Sequence, residues 1–137
     1  VDGSLLTHND SAETTELFEW KFDNSESEVA PLGTYYATGH AGISKQSSKS
    51  VYVTATTDCY EKCDEVEAEV NLQRLEGSTW AYVTSRDKIR KNVGSVTVSD
   101  TITVKSGYYY RVVSFHSATK NGKTEVGSAS SHSLYIG

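Results

Sequence analysis

The chain has 137 residues, 36% of them hydrophobic, with 18 acidic and 13 basic residues for a formal net charge of −5. That length suits one domain able to bury a core without metals or many disulfides, and no apolar run is long enough to span a bilayer as a helix. The charge is uneven: residues 1–30 hold eight acidic residues and one basic, net −7, and the remainder is net +2, so the basic stripe of a nucleic-acid binder is lacking.

Residues 1–32 are polar and acidic, with one apolar cluster in Leu17, Phe18, Trp20 and Phe22. Alternation from Phe18 through Trp20 to Phe22 predicts a short extended segment with one apolar face. Alone it has nothing to pack on, so it is expected to pack on the domain that follows, residues 33–137. The chain starts at Val1 and contains no methionine, as a processed, exported chain would; secretion is the expectation.

After Pro31 the pattern changes to short runs of β-branched and aromatic residues separated by Gly, Ser, Asn and Asp. The runs lie near 34–44, 50–57, 65–75, 79–85, 93–104, 107–118 and 123–136. Seven strands at this spacing, without helical periodicity, predict an all-β fold, an antiparallel seven-stranded β-sandwich. Val51, Val53 and Ala55 share one face of the second run, and Val66, Ala68, Val70 and Leu72 one face of the third. Opposite the latter stand Glu67, Glu69, Asn71 and Gln73, a solvent face of the kind antiparallel sheets show. Val96, Val98, Ile102 and Val104 are in phase in the fifth run, and Asp100 interrupts them. A bulge or short turn at Ser99-Asp100 is expected to release the carboxylate from the core. Leu75-Glu76-Gly77-Ser78 and Asn121-Gly122 read as tight hairpin turns.

Cys59 and Cys63 sit in TTDCYEKCDE, a spacing that fits neither a redox CxxC nor a zinc half-site. A structural disulfide is the simpler reading, contributing roughly 2 kcal/mol by closing a small loop in an oxidising compartment. Free thiols in a reducing compartment are the alternative. The basic cluster Arg86, Lys88, Arg90 and Lys91, beside Asp87, lacks interleaved aromatics and reads as a solvated connection.

Catalytic signatures are absent from the sequence. His8, His40, His116 and His132 are scattered, without HExxH or GxSxG. His116 falls on the Tyr110 and Val112 face near a strand end, where a packed histidine is the plain reading. Glu67 and Glu69 share a strand face and have the residue type to flank a sugar, but a charged solvent face is the plainer reading. No EF-hand pattern is present. The expectation is a non-enzyme without metal or cofactor.

The sixth run, SGYYYRVVSFH, sends successive side chains to opposite faces. With Tyr110, Val112 and Ser114 inward, Tyr109, Arg111, Val113 and Phe115 project outward. Their mixture is that of an interface, and Trp80 and Tyr82 on the fourth run extend it. Two covers are open for this face: a partner, or the Phe18, Trp20, Phe22 cluster folding back.

From Val104 the chain reads V-K-S-G-Y-Y-Y, then RVVSFHSA and a Ser-rich final strand. This resembles the last strands of fibronectin type III and related immunoglobulin-like domains. The resemblance implies that Tyr110 is a structural tyrosine corner, its hydroxyl bonding back to the preceding connection. It departs from them in lacking the strand B tryptophan, Tyr52 standing in that run, and the disulfide linking two sheets. Over most of its length the chain also resembles an uncharacterised family of small secreted proteins from Gram-positive Firmicutes, many intestinal. GHAGISK, VNLQRLEGSTWAYV and SVTVSDTITVKSGYYYRV carry that resemblance. It implies an exported β domain without an assigned activity. The functional expectation is a secreted or surface-associated module binding a host or bacterial protein or glycan. The alternative is a secreted effector: a toxin, antimicrobial protein or inhibitor. Oligomeric state and cell-wall attachment are not legible.

Overall fold

The computed structural model describes residues 36–137 throughout and, before them, the backbone of three short strands, β1 (Leu6–Thr7), β2 (Ser11–Thr15) and β3 (Lys21–Phe22). Phe18 and Trp20 lie outside the described residues, and so does the expected packing of residues 1–32 as a unit. The remaining strands are β4 (Tyr36–Ser47), β5 (Ser50–Glu76), β6 (Thr79–Thr103), β7 (Tyr108–Lys120), β8 (Lys123–Ser130) and β9 (Ser133–Ile136). The described protein is all-β, and from Tyr36 onward its strands are antiparallel, joined in one sheet that curls on itself.

Six strands therefore stand where the sequence suggests seven runs. The second and third runs are one strand, β5, and the fourth and fifth are one strand, β6. The seventh is divided into β8 and β9. The charged stretch around Cys59 looks like a turn because it is polar, but no glycine or proline stops the strand there. Instead the pairing of β5 with β6 shifts register between Asp58 and Cys63, from Asp58↔Ser95 to Cys63↔Val93. Extra residues on one strand bend it and raise its twist, so the long β5–β6 hairpin turns a corner. Its first half pairs with β4 and its second half with β7, on the same side of β5. Contacts of β4 with β7, β8 and β9 show the two halves closing over one core.

That core follows the alternation. Val51, Val53 and Ala55 of the first half of β5 are fully buried, as are Val66, Ala68 and Leu72 of the second, with Val112, Leu134 and Ile136. Asn121-Gly122 joins β7 to β8, both residues at positive φ (53° and 77°) as a two-residue hairpin requires. Gly77-Ser78 joins β5 to β6, with Gly77 alone of the two at positive φ, 65°.

The expected bulge or short turn at Ser99-Asp100 is absent. Register runs unbroken from Ser50↔Thr103 to Asp58↔Ser95, and Asp100 keeps its in-phase place opposite Val53. It escapes burial at the sheet's edge, where among the described residues β6 pairs only with β5, although Val96, Val98 and Ile102 of the same phase are buried. There the Arg86 Nε donates to Asp100 Oδ2 at 2.8 Å. This joins the two halves of β6 to each other and, with the Thr101 amide, holds the Asp100 carboxyl below its ordinary range. Arg86, read from sequence as part of a solvated cluster, thus has a partner.

Backbone pairing places the N-terminal strands on edges: β2 on β4, β3 on β8 through Lys21↔Val126 and Phe22↔Glu125, and β1 parallel to β9.

Candidate functional site

Directly opposed residues of an antiparallel pair share a face, so register alone maps the outward side of the β6–β5–β7–β8 half. One row runs Ile89, Glu67, Ser117, Val126; the next Asp87, Glu69, Phe115, Ser128; the next Ser85, Asn71, Val113, Ser130; the next Tyr82, Gln73, Arg111. Trp80 opposes Leu75 one row further. Tyr109 opposes Tyr135 of β9. All six residues of the candidate binding face, Tyr109, Arg111, Val113, Phe115, Trp80 and Tyr82, stand on this one surface.

They are not equally available. The Arg111 guanidinium lies 4.4 Å over the Trp80 ring and its Nε donates to Gln73 Oε1 at 2.7 Å. Burial lowers the Arg111 pKa from its ordinary value, though the group stays charged. Tyr109 packs on Tyr135 with ring centroids 5.0 Å apart. Val113 is half-buried. By contrast Tyr82 is 63% exposed, Phe115 47% and Ile89 49%. Three of the five exposed large hydrophobics among the described residues are therefore on this face, Tyr52 and Tyr60 being elsewhere.

Beside Phe115 the surface is concave. A groove of about 330 Å³ is lined by Glu67, Glu69, Phe115, His116, Ser117, Val126, Gly127 and Ser128. Glu67 and Glu69 thus sit against apolar side chains rather than on a plain solvent face. Burial, then the charges of Asp87, Glu69 and Glu65, push the Glu67 carboxyl up from its usual value. The alternation of β5 and the adjacency of the third and sixth runs held that signal, but only the pairing Glu69↔Phe115 exposes it.

On the inward side of the same strands is a polar array. Ser114 and His116 are buried in β7, and Thr57 is buried in β5. The Thr57 hydroxyl donates its proton to the Glu67 carbonyl at 2.8 Å. It must then accept from His116 Nδ1–H, 2.7 Å away. That leaves Nε2 as the acceptor for the Ser114 hydroxyl at 2.6 Å. Tyr36 stacks on the imidazole, centroids 6.0 Å apart. Burial, with His40 nearby, pulls the His116 pKa down to about 4, so the ring is neutral at pH 7. The array ties the first half of β5 to β7. A serine and histidine so enclosed, His116 being 2% exposed, hold the core together.

Tyr110 is fully buried and its hydroxyl donates to the Lys105 carbonyl at 2.6 Å across the β6–β7 connection. Cys59 and Cys63 are free thiols here, unlike the bonded pair expected from their spacing. They lie at the register shift of β5 and their side chains hydrogen-bond to each other. Burial, then the neighbouring Cys63, pushes Cys59 up to about 12, and burial also raises Cys63. Among the described residues no group of three or more His, Cys, Asp or Glu side chains is placed to hold a metal, and no helix is long and apolar enough to cross a membrane.

Compared with known proteins, residues 7–133 match a family of unknown function, DUF6147. No curated protein and no solved structure matches the chain.

Proposed function

We propose that this chain, which belongs to the DUF6147 family of unknown function, is a non-catalytic binding domain of a secreted or surface-associated protein. It engages a protein or glycan through the outward face of β6, β5, β7 and β8. The observation that carries the reading is the gathering of Phe115, Ile89 and Tyr82 as exposed apolar side chains on one sheet face. They flank the polar β5 column of Glu67, Glu69, Asn71 and Gln73, and aromatic and apolar side chains set among polar ones give the composition of an interaction surface.

The absence of catalysis is supported by geometry. His116 and Ser114 are enclosed, and Glu67 and Glu69 project side by side from one strand rather than facing each other across a cleft. An immunoglobulin-like, fibronectin type III-like architecture is supported by the pairing pattern. β4, the first half of β5 and the second half of β6 form one set, and the first half of β6, the second half of β5, β7 and β8 the other. That is the division of strands A, B, E from C′, C, F, G, with the corner strands unbroken. The test is capture from a broad panel of glycans and extracellular proteins by the intact chain. Saturable capture of one ligand supports the reading; no saturable ligand overturns it.

A further inference from the structure

Among the described residues β6 pairs only with β5, so its other side presents backbone donors and acceptors at alternate residues. The described N-terminal strands sit elsewhere, β1 on β9, β2 on β4 and β3 on β8. The open side is regular from Thr84 to Lys91, where register runs unbroken from Leu72↔Thr84 to Glu65↔Lys91 between two shifts. Arg86, Lys88 and Arg90 take the inward phase there, opposite the buried Val70, Ala68 and Val66. Long cationic side chains at such positions lay their stems along the core and carry their charge past the edge into water. Arg86 is committed to Asp100, Thr84 and the Ser85 carbonyl. Lys88 and Arg90 are exposed, and among the described residues neither has a hydrogen bond or ion pair.

The other phase of this stretch is Ser85, Asp87, Ile89 and Lys91, in which the charges balance. The edge is therefore cationic on one phase only, with a repeat of two residues, about 6.8 Å. Charge and period together select the occupant. Acidic side chains two residues apart on an added strand fall opposite Lys88 and Arg90, and a polypeptide backbone also satisfies the free N–H and C=O groups. A nucleic acid, charged at every unit, brings phosphates onto Asp87 and its neighbour Glu69 as well. A second copy of β6 brings the same cations and is repelled. The chain's own acidic Asp23, Glu26 and Glu28 follow Phe22, which opposes Glu125 on β8, and precede Tyr36, whose amide donates to the same Glu125 carboxylate. β7 and β5 lie between β8 and β6, so both anchors of that segment are on the far side of the sheet.

We propose that the open edge of β6 from Thr84 to Lys91 is a docking site for an extended polypeptide segment of a partner protein with acidic side chains at alternate positions. The segment adds to the sheet as its next strand and pairs with Lys88 and Arg90. The edge is separate from the outward face, and the proposal stands or falls without it.

The test is titration of the intact chain with a capped peptide of alternating glutamate and threonine, about seven residues and so the length of one strand, followed by amide NMR and hydrogen exchange. Expected is saturable binding with shifts centred on residues 84–91 and slowed exchange of alternate amides there, absent for a peptide of the same composition with its glutamates in one block. Lys88→Gln/Arg90→Gln weakens binding at least tenfold. Lys45→Gln/Lys49→Gln, which removes the same charge from exposed positions beside the β4–β5 turn, leaves it unchanged. No binding by the intact chain, equal weakening by that control pair, or equal binding of the blocked peptide overturns the proposal. Amides that are all slow across 84–91 before peptide is added show the chain's own N-terminal segment on the edge, and overturn it too. Shifts centred on Phe115 instead place the peptide on the outward face and overturn the assignment to the edge.

Discussion

Acidification should loosen this domain through one residue. His116 is enclosed and neutral, held by Thr57 and Ser114, with its pKa lowered to about 4, whereas the unfolded chain takes up the same proton near the ordinary value of about 6.5. Between those values the unfolded state binds more protons, so stability falls as pH drops through that window and is fully present above it. The gap between those two values corresponds to about 3 kcal/mol, a large share of the stability of a domain this size. The measurement is urea unfolding from pH 7 to pH 4, for the native chain and for His116→Gln, whose amide cannot titrate. The native chain should lose about 3 kcal/mol more than the variant across that range, against a variant that is itself less stable at pH 7 for want of the Thr57 bond. Parallel pH profiles for the two proteins would refute the buried, neutral assignment, and with it the tautomer drawn from the Thr57–Glu67 bond.

Three other outcomes follow from single contacts. Tyr110→Phe removes the 2.6 Å bond to the Lys105 carbonyl and should cost about 1 kcal/mol in urea unfolding without altering the fold; an unchanged midpoint would show the corner to be dispensable. A Cβ at Gly127 would stand 2.6 Å from Tyr36 Cε2, so Gly127→Ala should destabilise by about 1–3 kcal/mol, and full stability would mean the Tyr36 ring is not packed there. Native protein kept reduced should show two thiols that react slowly, since burial raises both, and air or glutathione disulfide should remove both with a mass loss of about 2 Da and a gain of about 2 kcal/mol; thiols that persist through oxidative refolding would rule out the bond.

The strands' alternation was legible because period-two burial is written into β-branched residues: the inward series Val66, Ala68, Val70, Leu72 is the buried series. Asn121-Gly122 was legible because few residue pairs accept two positive φ values. The corner at Asp58–Cys63 was not, since a strand that bends by a register shift needs no breaker, and its polar residues imitate a turn. Asp100 misled for a related reason. A carboxylate in an inward phase is tolerated at the rim of an edge strand, and its partner Arg86 lies on the far half of the same strand, beyond any local pattern. The outward face was half legible. Tyr109, Arg111, Val113 and Phe115 follow from alternation within one strand, but Glu67 and Glu69 become its neighbours only through the pairing of β5 with β7, and sequence distance hides that. The same pairing shows the aromatic end engaged with itself, which composition alone read as available.

The most direct measurement is ligand capture by the intact chain and by a Phe115→Ser/Tyr82→Ser variant, with urea unfolding to establish that the exposed substitutions leave the fold intact. The account predicts that the native chain captures a saturable protein or glycan ligand and that the variant loses it while unfolding at the same midpoint. Equal capture by the two proteins would contradict the assignment of the outward face as the binding surface.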